Sequence, residues 1–262
     1  MDMISVIHKE FSYAIRSGRV LLLLAGFLFF ALLTPLMLKV VLPYVLANQV
    51  PGGVSSDMAH MMNMTQVEVV QSYMGDVFEI GTLIVAFTLC GLMASEIRES
   101  TMVFPLCAGK RFGWLLGAKL VVFGTLLTVV TLIALVSDYL YAGMLYGFAL
   151  DVVPILFGGA LQAVYFWFLL ACLLFWGTMM QKPIAAGFMT LATGYGIHFM
   201  GGLLGIQTWT PSGLLVAANS LKPMLDVPLV RSLGITFVVC VLLIGGALWR
   251  LKRMEWNTRV TA

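Results

Sequence analysis

Val20-Leu-Leu-Leu-Leu-Ala-Gly-Phe-Leu-Phe-Phe-Ala-Leu-Leu-Thr-Pro-Leu-Met-Leu38 is a run of 19 residues without a charge. As a helix rising 1.5 Å per residue it covers about 28 Å, close to the hydrocarbon thickness of a bilayer. No backbone amide can be left unsatisfied in hydrocarbon, so a helix is the conformation such a run must take there. Val45-Leu46-Ala47 has the small-residue look of a cleavage site. The run is nevertheless too long for a secretory signal core and the candidate site lies too far downstream, so the reading is an uncleaved first span, Val20–Leu42.

Working outward, five further stretches have the same character: Val77–Ser95, Gly113–Val136, Val152–Met180, Pro183–Ile206 and Ser232–Trp249. The second is the weakest, because Asp76 and Glu79 crowd its start. The fourth is long and begins near Pro154, which predicts tilt or an outer kink. The expectation is an all-α integral membrane protein of six transmembrane helices, a single unit over residues 1–262. Within it, 1–19 precede the bundle, 20–249 form it and 250–262 are a cytosolic tail.

Composition agrees. Of 262 residues 61% are hydrophobic and 10% charged, and the mean hydropathy is +1.00; soluble domains carry about 25% charged residues. The net charge of +3 does not point to nucleic acid, since the basic residues lie beside apolar runs, where they orient the chain. Lys9, Arg16, Arg19, Arg98, Lys110, Arg111, Lys119, Lys182, Arg250, Lys252, Arg253 and Arg259 fall on one side, leaving Lys39, Lys222 and Arg231 of the 15 opposite. Both termini are then cytosolic. Asp57, Glu68, Asp76, Glu79, Asp138, Asp151 and Asp226 fall in the outer segments. Cys90, Cys172 and Cys240 lie in apolar runs and Cys107 in a cytosolic segment, a pattern that implies no disulfide.

Ahead of the first span, Ile4, Ile7, Phe11, Ala14 and Ile15 share one helical face, with Ser5, Lys9, Ser12 and Arg16 opposite. This is the pattern of an interfacial amphipathic helix, either a basic anchor or an elbow that meets a partner. In the outer segment after the first span, Met58, Met61, Met62, Met64 and Met74 suggest soft-metal binding, because thioethers favour copper(I). The helical spacing of Met64, Val67, Val70, Gln71 and Met74 argues instead for a short helix on the outer surface, and His60 has no second ligand at a fixed spacing. Trp209 reads as an interface anchor, and the apolar stretch after Pro211 as a partial helix in the outer leaflet.

Catalytic chemistry is not indicated. His8, His60 and His198 are scattered, and Ser212 lacks a nucleophile-elbow glycine pattern. Gly109-Lys110 is no phosphate loop, because Phe104 stands where the first glycine belongs and no Ser or Thr follows the lysine. The span centres hold no ionisable group beyond His198, which normally packs by hydrogen bonding. Gln162 is polar and deep, as suited to bonding a neighbouring helix as to lining a pathway. A chain so built binds no cofactor of its own, and an energy source must come from outside it.

The most informative connector joins spans two and three: Glu96-Ile97-Arg98-Glu99-Ser100-Thr101-Met102-Val103-Phe104-Pro105-Leu106-Cys107-Ala108-Gly109-Lys110-Arg111. It is short, densely polar and broken by Pro105, and a solvated hairpin is its plainest reading. Here the chain resembles the membrane (permease) subunits of type-2 ATP-binding-cassette (ABC) exporters. These begin with an amphipathic segment holding a Lys-Glu pair, as Lys9-Glu10 here, and then basic residues, as Arg16 and Arg19. Between spans two and three they have a Glu, a Gly or Ser followed by Thr, an apolar stretch, a Pro and a basic residue. Glu96 or Glu99, Ser100-Thr101, Val103-Phe104, Pro105 and Lys110-Arg111 match, with Ser100 where glycine is usual. Trp209-Thr210-Pro211 also resembles the aromatic and proline ahead of the family's outer half-helix.

The resemblance implies a coupling segment formed by Glu96, Arg98, Glu99, Ser100, Thr101, Pro105, Lys110 and Arg111, seated on a separate nucleotide-binding ATPase subunit that holds ATP and Mg. It implies an elbow helix carrying Lys9, Glu10 and Arg16, and pairing with a second permease copy or a related permease in a bacterial cell membrane. Gln162 and His198 are then candidates to line the pathway of a hydrophobic or amphipathic substrate such as a drug, lipid or antimicrobial peptide. Gly109, Gly113 and Gly117, four apart, suit close packing of the third span. The readings from other classes are a membrane scaffold or sensor subunit and an ion-coupled or passive carrier.

Overall fold

The computed structural model describes residues 3–49, 64–102, 107, 112–224 and 226–254, and among these every regular element is helical. Five helical stretches are long and apolar enough to cross a membrane: Arg19–Val45, Gln66–Arg98, Phe112–Tyr146, Val152–Met180 and Val227–Lys252. The chain is a multi-pass membrane protein. The fifth of the six expected spans is present as a helix, Pro183–Leu203, but falls short in apolarity because Thr190, Thr193, Tyr195, His198 and several glycines dilute it.

The first helix, α1 (Met3–Arg16), turns through Gly18, whose φ of 71° is the left-handed conformation glycine adopts most easily, into α2 (Arg19–Leu36). Its buried face is Val6, Glu10 and Ala14, spaced four apart, while Ile4, Phe11 and Ile15 stay exposed. Of the apolar stripe read from the sequence, Ala14 is buried and Ile7 packs against the core while Ile4, Phe11 and Ile15 face away, and the helix packs through a face centred on a carboxylate. Pro35 lies buried inside α2, and the helix passes through a π-helical turn at Met37–Val41 into α3 (Leu42–Gln49). Pro43, expected to end the span, does not.

The second membrane helix also runs longer than expected. The Glu68 carboxylate accepts the Thr65 backbone N–H at 2.7 Å and so starts α4 (Gln66–Asp76). A π-helical turn at Val77–Gly81 joins it to α5 (Thr82–Leu89) and α6 (Gly91–Arg98). The helix expected on the outer surface is thus the upper part of the second span. Val69, Val70, Tyr73 and Met74 are buried, because α4 packs between α2 and the third span. Met58, Met61, Met62 and His60 lie outside the described residues.

The third span, α7 (Phe112–Tyr146), continues ten residues beyond the expected end and takes Asp138 out of the outer loop into the bundle. The fourth, α8 (Val152–Met180), has the expected bounds. Pro154 falls in its first turn, where a missing N–H leaves no bond unmade. This helix is the core of the bundle, with 72% of its most apolar window buried against 17% for the last helix, α11 (Val227–Lys252). Around it stand α7, α9 (Pro183–Leu203), α10 (Gly213–Asn219) and α11. The expected partial helix after Pro211 is α10, with Leu214 fully buried.

Close approach depends on glycines other than those expected. A Cβ at Gly177 of α8 would stand 3.0 Å from Met93 Cβ of α6, and one at Gly124 of α7 would enter the Trp167 ring at 2.6 Å. Gly117 has nothing within 4 Å and Gly113 touches only Leu248 at 3.9 Å. The third-span glycine stripe is therefore not a packing seam within this chain, and Gly109 lies outside the described residues.

Candidate functional site

Polar groups gather inside this apolar bundle at both ends. At the end where the second span stops, Lys119 of α7 is buried to 1% exposure, and its Nζ lies 2.8 Å from Glu10 Oε2 and 2.6 Å from Glu96 Oε1. Glu10 belongs to α1 and is 2% exposed; Glu96 closes α6 and keeps an exposed edge at 23%. Lys119 had read as an orientation signal beside an apolar run. It is also the pin through three elements, supplying donors to two carboxylates. Burying such charges is costly unless they are paired at hydrogen-bond distance, as they are here.

The connector begins directly beyond this pin. The Thr101 N–H donates to the Glu96 carbonyl at 3.1 Å and the Ser100 N–H to the Ile97 carbonyl at 3.2 Å, the two bonds of a Schellman cap. The cap needs a left-handed residue between them, and Ser100 supplies it with φ 55°. That is the position where the resembled exporters usually have glycine, and a serine there carries the steric penalty of its Cβ. Arg98 pairs with Glu99 at 3.3 Å, but both are more than half exposed, so the pair contributes little to stability. Lys9 and Arg16 are exposed on α1. Pro105, Lys110 and Arg111 lie outside the described residues.

Toward the other end, a cavity of about 780 Å³ opens between α4, α9, α10 and the middle of α8, and its polar lining is Glu79, Gln162, Tyr195, His198, Asn219 and Ser220. Gln162 and His198, singled out separately in the sequence, are thus brought to one wall. Gln162 donates from Nε2 to the Met74 carbonyl at 3.0 Å, and its buried Oε1 has no protein donor. It ties two helices, the first of the two uses foreseen for it, and keeps one acceptor free. The His198 ring lies 4.5 Å from the Phe78 ring, and its Nδ1 is buried without a protein partner. The Tyr195 hydroxyl donates to the Glu79 carbonyl.

Glu79 was missed in the sequence because it was counted among outer-loop acids. It stands in the π-helical turn Val77–Gly81, and the wider turn shifts the register of the residues around it, a departure common at functional sites. Its carboxylate is exposed and forms no ion pair with any described cation. The volume lies within the usual range for small-molecule pockets, and the lining combines aromatic surface with unpaired donors and acceptors. No described group of three His, Cys, Asp or Glu residues could hold a metal. Neither the known protein families nor the curated proteins give a match to this chain.

Proposed function

We propose that this chain is the membrane subunit of an ATP-driven ABC exporter, with six spans, Pro183–Leu203 being the fifth, and both termini in the cytosol. A separate ATPase subunit binds ATP and Mg and receives the connector that begins at Glu96. A second permease copy or a related permease completes the translocation unit in the cell membrane. The substrate is hydrophobic or amphipathic and enters the cavity lined by Gln162 and His198.

The observation that carries this reading is the Lys119 pin. One buried ammonium fastens the amphipathic helix, the last turn of the second span and the base of the third. A force applied to the connector is then transmitted to three helices together rather than absorbed by one flexible turn. Stoichiometric co-purification of a phosphate-loop ATPase, with hydrolysis stimulated by amphipathic compounds, is the expected result. A kinase or protease partner in its place would turn the reading to a scaffold or sensor.

One observation favours the second reading, an ion-coupled carrier. Asp138 is a fully buried carboxylate, the kind of group that such carriers require. Uphill flux by the purified chain alone in liposomes would replace the exporter by that carrier.

A further inference from the structure

Asp138 has 0% exposure, and no protein group donates to either of its carboxylate oxygens. It is set within α7 on the face of Thr131 and Leu135, both buried, and the Thr131 hydroxyl likewise has no partner. Across from it on α4 are Asp76 and Tyr73, both within electrostatic reach. Asp76 Oδ2 accepts from the Thr34 hydroxyl of α2 at 2.7 Å, and the Tyr73 hydroxyl is turned to the Phe27 carbonyl at 3.4 Å.

Among the described residues no cation forms an ion pair with either carboxylate. The basic group on the π-helical turn that follows α2 is Lys39, whose Nζ donates to the Leu145 carbonyl at 2.8 Å and lies over the Tyr146 ring rather than pairing with either carboxylate. From α8 the facing groups are apolar or neutral, and Asp151 at its start is exposed. On α7 itself Tyr139 donates to the Leu150 carbonyl at 2.9 Å. A lone carboxylate so placed is among the costliest groups a fold can bury, and a second carboxylate nearby raises the cost of its charge.

We infer that Asp138 and Asp76 form a proton-binding carboxyl pair between the second and third spans, with the bound proton on Asp138. One O–H bond forms on the Asp138 carboxylate as hydronium gives up one, so Asp138 becomes neutral and gains a donor. Asp76 and Tyr73, on the facing helix, both carry oxygen acceptors. A metal ion fits less well, since hard cations take six or more oxygens and this place offers few. Loss of the proton puts two negative charges between α4 and α7 and loosens their contact. The packing of this end is therefore tighter at low pH and looser at high pH. The site belongs to this chain alone and stands or falls independently of any ATPase partner.

The test is infrared spectroscopy and thermal unfolding of the full-length purified protein as a function of pH. The expected spectrum contains a protonated-carboxyl C=O band at neutral pH that Asp138→Asn removes, while the unfolding midpoint falls with rising pH in the native protein and stays flat in that variant. Absence of the band, or its survival in Asp138→Asn, overturns the inference. So does a midpoint that rises with sodium or potassium at fixed pH, which would assign a metal-cation site. Should Asp138→Asn fail to assemble, Asp76→Asn carries the test: with the neighbouring charge removed the Asp138 band should vanish at lower pH, and an unmoved transition overturns the pair.

Discussion

Lys119 and Asp138 stand 19 positions apart on one helix, about 28 Å along its axis, and both are at most 1% exposed. The separation is close to the hydrocarbon thickness of a bilayer. The third span thus carries a buried cation at one end and a buried acid at the other. The cation is held by two carboxylates from other helices. The acid has none of this support. Equal burial with unequal satisfaction marks the first as a fastening and the second as a binding group.

Removing the cation while leaving its partners should be among the most damaging single changes. Lys119→Ala strands Glu10 and Glu96 together, and losing one member of a buried charge set costs about 3–5 kcal/mol. Thermal unfolding in detergent checks this. Glu10→Gln combined with Lys119→Met should recover part of the loss, because the fully buried charge is then gone and only the partly exposed Glu96 carboxylate is left without its cation.

Ser100→Gly should stabilise the connector. The left-handed φ is retained and the Cβ penalty removed, a gain of about 1 kcal/mol. Limited proteolysis between spans two and three should slow. Faster cleavage would show that the serine side chain holds the turn by some other means.

The glycines offer a contrast. Gly177→Ala places a Cβ 3.0 Å from Met93 Cβ and should cost about 1–3 kcal/mol through forced separation of α8 and α6. Gly117→Ala meets nothing within 4 Å and should gain a few tenths to about 1 kcal/mol from helix propensity. Unfolding midpoints moving in opposite directions are expected, and matching losses would mean Gly117 packs against a second copy.

Arg98 and Glu99 lie on the exposed side of the same turn. Replacing both with Ala should change stability by no more than about 0.5 kcal/mol, yet uncouple ATP hydrolysis from transport if the connector seats on an ATPase. Hydrolysis still stimulated by substrate in that double variant would remove these two residues from the coupling surface. Glu96, in contrast, should not tolerate substitution without loss of stability.

Filling the cavity should separate binding from folding. Val216 lines it from α10 and is 48% exposed, so Val216→Trp has room to project inward without disturbing the core. The expected result is a raised KM for amphipathic stimulators with an unchanged unfolding midpoint. An unchanged KM would place the pathway elsewhere.

The membrane class and the length of α8 were legible because hydrocarbon leaves a backbone no choice but helix, and a run such as Val20–Leu38 states that locally; α11, expected over Ser232–Trp249, extends past both ends to Val227 and Lys252. Helix ends were less legible. Pro43, Asp76 and Asp138 look like boundaries by residue type, yet the helices run past each of them. A proline inside a packed helix is accommodated by a π-helical turn, and an acid facing protein is not excluded as one facing lipid is. The amphipathic pattern of α1 was read correctly as a pattern, but the stripe that meets the bundle could not be chosen from it.

For the polar groups the division is sharper. Hydropathy by itself picks out the oily runs and the sided distribution of basic residues, both properties of neighbours in the chain. Only the packed bundle decides that Lys119 meets Glu10 and Glu96, that Glu79 joins Gln162 and His198 at one cavity, and that Asp138 meets no donor. Those facts depend on which faces of separate helices touch. Apolar packing surfaces are too alike in sequence to specify that before the bundle has formed.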